Sequence, residues 1–227
     1  MKQRIVMIGF ICIMLLGLTG CKWVVIDKDK TPETGNKEED IEVPKYEYEL
    51  TKEGIIKSED AKAIIEEISA EVLQAISKKD ARTISEHTHP TKGVRFTPYT
   101  NVSFEHDLVF TKDDMLNFFD DQEIYTWGFY DGKGDQIKLT PSEYDQEFIY
   151  ANDYSNAELI GYNEVLSNAN IVENQFEVYE QSIVVEYYFS GFNPEFAGID
   201  WRSLRLVFQE YENTWKLVGI INNQWTV

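Results

Sequence analysis

Ser182-Ile-Val-Val-Glu-Tyr-Tyr-Phe-Ser190, Trp201-Arg-Ser-Leu-Arg-Leu-Val-Phe-Gln-Glu-Tyr211 and Trp215-Lys-Leu-Val-Gly-Ile-Ile-Asn222 all lie within Phe176–Val227, and their common period sets the fold class. Ile183, Val185, Tyr187 and Phe189 alternate with Val184, Glu186, Tyr188 and Ser190, the two-residue repeat of a strand with one face on a core. In the second run Leu204, Leu206 and Phe208 oppose Arg205, Val207 and Gln209. Glu212-Asn213-Thr214 is short enough, and its Asn turn-prone enough, to join the last two runs as a hairpin. The three strands are therefore predicted to pair antiparallel. Gly219 interrupts an otherwise β-branched strand, which points to a bulge and a curved sheet.

Upstream of this sheet lies a helical layer. Ser58 is a predicted N-cap, with Glu59 and Asp60 placed to complement the helix dipole. Ile64, Ile65, Ile68, Val72, Leu73 and Ile76 recur at three- to four-residue spacing and mark one buried stripe. Asp80 is placed to cap a second short helix carrying Ile84, which must stop before Pro90. Thr111-Lys112-Asp113-Asp114 leads into Met115–Phe119. Thr140-Pro141-Ser142-Glu143 has capping-box spacing with Pro at the first helical position. A hairpin is predicted between them, from Ile124–Tyr130 and Gln136–Leu139.

The chain begins with Lys2 and Arg4, then an apolar run, Ile5–Leu18, too short for a comfortable membrane span. It closes on Leu18-Thr19-Gly20-Cys21. These four residues resemble the lipobox of bacterial lipoproteins. The resemblance implies that Cys21 receives a diacylglycerol and becomes the first mature residue, anchoring the chain to the outer face of the cytoplasmic membrane. Residues 1–20 are thus read as a signal peptide. Residues 21–44, rich in Asp, Glu, Lys and Thr with no apolar period, are read as a flexible acidic tether, reaching roughly some tens of ångströms by random-coil scaling. Residues 45–227 remain as a single domain.

Cysteine and charge exclude several activities. Of two cysteines, Cys12 leaves with the signal and Cys21 takes the lipid, so no thiol chemistry or disulfide is expected in the domain. The net charge of −19 becomes −21 when Lys2 and Arg4 are lost. Such a surface repels phosphate polymers, and nucleic acid is not expected as a partner.

A long helix, the Ala75-Ile76-Ser77-Lys78-Lys79-Asp80 break, a short helix, an early strand and three long final strands resemble the nuclear transport factor 2-like (cystatin-like) superfamily. The resemblance implies an α+β fold. A long N-terminal helix and short helices pack on a curved antiparallel β-sheet as a cone, with an aromatic-lined cavity between sheet and helix. The segments Thr111–Phe119 and Ala151–Gln175 exceed the compact pattern of that superfamily. Gly93–Tyr99 and Asp200–Arg205 also resemble segments of lipoproteins from low-GC Gram-positive bacteria.

Candidate chemistry is sparse. His87 and His89, with His106 or Asp107, invite a zinc or copper reading. No His-Glu-x-x-His spacing supports it, and a helix end with Gly93 turning into a strand accounts for the same residues. Asp131-Gly132-Lys133-Gly134-Asp135 fails as a calcium loop in either register and reads as an Asp-Gly hairpin turn. There is no nucleophile elbow, phosphate loop or dinucleotide fingerprint, so no metal, cofactor or catalytic residue is assigned. His89, Arg95, Tyr99, Trp201 and Arg202, polar or aromatic groups set among aromatic strands, are the expected ligand-contacting residues on a concave face. The expected function is binding of a small ligand or an envelope protein, without catalysis. An acid/base enzyme in an apolar cone and a structural or accessory lipoprotein are the alternatives.

Overall fold

The computed structural model describes residues 46–167 and 172–225. The signal, Cys21 and the tether lie outside the described residues, all of which belong to one unit, Glu42–Val227. In chain order the elements are α1 (Ser58–Ser77), α2 (Ala81–His87), β1 (Val94–Thr97), β2 (Leu108–Phe110), α3 (Lys112–Met115), β3 (Tyr125–Phe129), β4 (Gln136–Leu139), α4 (Pro141–Tyr144), β5 (Leu159–Tyr162), α5 (Gln175–Val178), β6 (Ile183–Phe189), β7 (Arg202–Tyr211) and β8 (Thr214–Gln224). This is an α+β fold: helices cover one face of a curved, mainly antiparallel sheet ordered β2-β1-β8-β7-β6-β5, and β3 and β4 form a separate hairpin.

The three final runs are the adjacent strands β6, β7 and β8, paired antiparallel. Tyr211 pairs with Thr214 across two loop residues, Glu212 and Asn213, with φ of 48° and 58°. That left-handed pair is the primed turn whose twist matches a hairpin. The register slips between Val207 opposite Gly219 and Phe208 opposite Leu217, so Val218 is the extra residue of a bulge beside Gly219. The early strand departs from the antiparallel expectation: β1 runs parallel to β8, with Arg95 opposite Gly219. The cause is the path before it. Thr88 bridges Leu217 in parallel and the His89 N–H donates to the Leu217 carbonyl at 2.9 Å, so the chain leaving α2 is already aligned with β8.

The helical layer follows its stripe. Ile65, Val72, Leu73 and Ile76 are buried, and Ile64 and Ile68 pack at the margin. Asp80 caps α2 by accepting from Thr83 N–H at 3.2 Å. Both Thr111/Asp114 and Thr140/Glu143 form reciprocal capping boxes. Ser58 does not cap α1; Lys57 occupies that position without a side-chain capping bond, its Nζ being paired with Glu49. Its N–H is spent on the Glu49 carbonyl, which fixes the chain one residue ahead of the serine.

Between helices and sheet the interior is filled with rings. Trp127 stacks on Tyr144 at 3.9 Å between centroids, Tyr144 on Phe148 at 4.9 Å, and Phe110 on Trp127 at 5.5 Å. Phe96 and Phe118 complete the cluster at 5.0 Å from each other. Each such contact adds about 0.5–1.5 kcal/mol beyond the area it buries. The aromatic cavity implied by the superfamily resemblance is therefore occupied, in the described residues, by the chain's own aromatics from the β3–β4 hairpin and α4. No helix of the described residues is long and apolar enough to cross a membrane.

Candidate functional site

The other face of the sheet is where polar groups collect. Sheet register sets Val109 of β2, Arg95 of β1, Gly219 of β8, Val207 of β7 and Val184 of β6 in one lateral row. The next row holds Thr97, Ile221, Arg205, Glu186 and Gly161. Strand alternation directs these residues away from the helices. Part of this face is covered by the segment containing α5. Val102, Tyr179, Val184, Val207, Val218 and Ile221 form a small second core there, flanked by Phe176 and Val178.

At the β1–β2 end of that core lies a cleft of about 320 Å³. Its polar lining is Lys92, Arg95, Tyr179 and Gln209, and its apolar lining is Phe104, Val109, Val178 and Val218. Tyr179 reaches it because Gly219 has no side chain: a Cβ at Gly219 would sit 2.8 Å from the tyrosine oxygen. The Tyr179 hydroxyl is buried and has no hydrogen-bond partner among the described residues. Burial raises its pKa well above the ordinary phenol value, against a smaller downward pull from the Arg95 charge; the Asp107 charge adds to the rise, and hydrogen bonding toward Arg95 opposes it.

Arg95 is half-buried. Its Nη1 makes long contacts to the carbonyls of Ser103 (3.4 Å) and Asp107 (3.5 Å), and its guanidinium carbon lies 4.7 Å from the Phe104 ring centre. The loop bearing Phe104 is fixed from behind by Asp107, whose carboxylate accepts from Thr97 Oγ1 at 2.6 Å and Ser103 N–H at 2.9 Å. Burial pushes Asp107 up to about 6, although the bonds from Thr97 and Ser103 and the charges of Arg95 and His106 oppose the rise. Lys92 donates to Gln209 Oε1 at 2.7 Å across the mouth.

At the other end of the second core is a buried ionic cluster. Glu186 and Arg205 are both fully buried and 3.3 Å apart, and Glu173 approaches Arg205 at 3.0 Å. Glu186 also accepts from Ser203 Oγ at 2.5 Å and from Leu166 N–H at 2.8 Å. A pair so deep, with its remaining oxygens bonded, fixes the segment after β5 to the sheet and is read as structural.

The five expected ligand-contacting residues are not gathered in one place. Arg95 lines the outer cleft. His89 is buried at its margin, its Nδ1 accepting from Thr91 N–H (3.3 Å) and Lys92 N–H (3.1 Å), so it shapes the turn that presents Lys92. Tyr99 packs edge-on against Phe148 at 5.9 Å on the helix side. Arg202 shares the face of Leu204, near enough to Tyr99 to lower its pKa slightly against the rise from burial. Trp201 is buried beside Tyr188. His87 pairs with Glu71 at 3.2 Å, and no cluster of three metal-ligating side chains occurs among the described residues. Tyr179, Phe104 and Lys92 escaped sequence reasoning. The available signal was Gly219, since a glycine inside a β-branched strand marks a close approach by another group.

No protein-family model and no curated protein sequence matches the chain. Among solved structures it is similar to a candidate dehydratase of the NTF2-like family from Streptomyces avermitilis. That likeness has 10% identity and a TM-score of 0.35, covering 74% of this chain and 99% of the other. It is also similar to a DUF4783 family protein from Bacteroides ovatus, at 10% identity and a TM-score of 0.28, covering 68% of this chain and 93% of that one. A third likeness, to a candidate calcium/calmodulin dependent protein kinase II association domain from Xanthomonas campestris, has 8% identity and a TM-score of 0.29. It covers 70% and 85% of the two chains.

Proposed function

We propose that the chain is a lipid-anchored, extracytoplasmic binding domain of NTF2-like architecture that holds a small ligand in the cleft of Arg95 and Tyr179. The carrying observation is the Tyr179 hydroxyl, buried with no hydrogen-bond partner of ordinary geometry among the described residues, beside a cleft that also offers a cation and apolar walls. An unpaired buried polar group costs about 1–3 kcal/mol, which a ligand atom supplying the missing bond offsets. The cleft volume falls at the lower end of the range for small-molecule sites, roughly 300–1,000 Å³. Support for the anchor comes from Leu18-Thr19-Gly20-Cys21 at the end of an apolar run.

Two experiments test the reading. Cys21→Ala is expected to abolish incorporation of radiolabelled palmitate; undiminished label in the variant contradicts the anchor. A thermal-shift screen against envelope metabolites is expected to give a hit that raises Tm in wild type and leaves Val109→Trp, which fills the cleft from its exposed rim, unmoved. A hit that stabilises both equally removes the cleft from the account. The catalytic alternative is favoured by one observation, the raised pKa of Asp107 behind Arg95. It requires turnover of a bound molecule that Asp107→Asn abolishes.

A further inference from the structure

The lining of the outer cleft is at odds with the surface around it. The whole chain carries a net charge of −19, yet the described lining contributes Lys92 and Arg95 and no carboxylate. Asp107, on the β1–β2 loop, has its carboxylate turned to Thr97 and Ser103, and its charge reaches the cleft only as a rise in the Tyr179 pKa. Arg95 keeps donors in hand: among the described residues Nη1 makes two long contacts of 3.4 and 3.5 Å, and the only other polar group the guanidinium leans on is Tyr179. A guanidinium held on a strand, with its other N–H groups unspent, is a fork for a two-oxygen anion. Beside it lies the Tyr179 side chain, more than nine-tenths buried, its hydroxyl over Gly219, close enough to Arg95 to feel its charge and without a hydrogen-bond partner of ordinary geometry among the described residues.

The rest of the cleft is unsuited to a free inorganic ion. Val109, Val178 and Val218 line the cleft and the Phe104 ring lies over Arg95, so a hydrated inorganic oxyanion would lose water to apolar surface without return. Resting on the cleft reading above, we infer that the ligand is a small organic monoanion, with a carboxylate-like head on Arg95, beside Tyr179, and an apolar body against the valines and Phe104. An acidic protein thereby gains selectivity from its own field. Polyanions are repelled at long range, and a single charge on a compact apolar body meets two cations once inside.

The test is isothermal titration of the full-length chain in detergent, corrected for the detergent blank, with benzoate, its neutral isostere benzamide, and inorganic phosphate. Benzoate is expected to bind saturably, with benzamide and phosphate each at least about tenfold weaker, since charge-assisted bonds are roughly twice as strong as neutral ones. Arg95→Gln is expected to erase the preference for benzoate over benzamide. The wild-type comparison decides the matter even if that variant does not fold. Benzamide binding as tightly as benzoate, with both lost in Val109→Trp, overturns the anion class and leaves the cleft standing. Phosphate matching benzoate overturns the apolar body. Benzoate binding that persists in Val109→Trp, or no saturable benzoate binding up to about 10 mM, well beyond the millimolar range of weak specific sites, overturns the inference outright.

Discussion

Gly219 carries more of the site than any polar residue. A methyl group there would meet Tyr179 Oη at 2.8 Å and Val207 Cβ at 3.3 Å, with no flexible side-chain end free to yield on the strand side. Gly219→Ala is therefore expected to cost about 1–3 kcal/mol in urea unfolding, the range for overpacking a filled core. Adding Tyr179→Phe, which deletes the closest atom, should recover part of that loss; a double variant as unstable as the simple sum would contradict the contact. Glu186 makes a different case. Truncating it to Ala leaves Arg205, among the described residues, with Glu173 and Ser167 to meet its charge, an expected loss of about 3–5 kcal/mol. The double change Glu186→Leu with Arg205→Met should be milder than the single truncation, and a harsher result would refute the ionic account. Alternation placed Arg205 and Glu186 opposite the core residues of their strands, but a period of two cannot tell a solvated face from one covered by a later loop. That is why both faces of β6 and β7 are buried where the pattern implied one.

At the scale of elements, local chemistry was legible and long-range pairing was not. Thr111, Thr140 and Asp80 act as caps, the β3–β4 hairpin forms where alternation ends at Asp131-Gly132, and the three final strands pair in sequence order. The parallel pairing of β1 with β8 joins residues more than a hundred positions apart and leaves no mark on local periodicity. Nor could spacing show that α4 and the following turn would fill the interior with Tyr144 and Phe148. Asp145, the first residue of that π-helical turn (Asp145–Ile149), is buried, with one oxygen 3.4 Å from Lys79 and the other without a partner among the described residues. Burial pushes its pKa up to about 6 in spite of Lys79. The folded state thus holds this proton more tightly than the unfolded chain, whose Asp titrates near 3.9. Its contribution to stability is full below about pH 4 and is lost as pH rises through about 6. Asp145→Asn is expected to remove a fall of about 1–3 kcal/mol between pH 4.5 and 7.5, read from unfolding curves at each pH. An unchanged pH dependence would show the carboxyl to be ionised throughout.

For the whole molecule, the two faces of the sheet divide the work. The helix side is packed with aromatics and supplies stability; the outer side combines a buried ion pair, a small second core and an open cleft lined by Lys92 and Arg95. An acidic domain bearing a local basic cleft suits capture of a small molecule better than contact with a polyanion, and the proposed lipid anchor would hold that cleft near the membrane. The proposed tether and anchor rest on composition and motif alone, whereas the cleft needed three dimensions, because its residues come from the turn before β1, from β1, the β1–β2 loop, β2, the end of α5 and the residue after it, β7 and β8. The measurement that bears most directly on this account is native mass spectrometry of wild type and Val109→Trp after incubation with an envelope metabolite extract. The account expects an adduct of defined small mass on wild type and none on the variant. An adduct of equal abundance on both chains would place the ligand elsewhere and contradict the central claim.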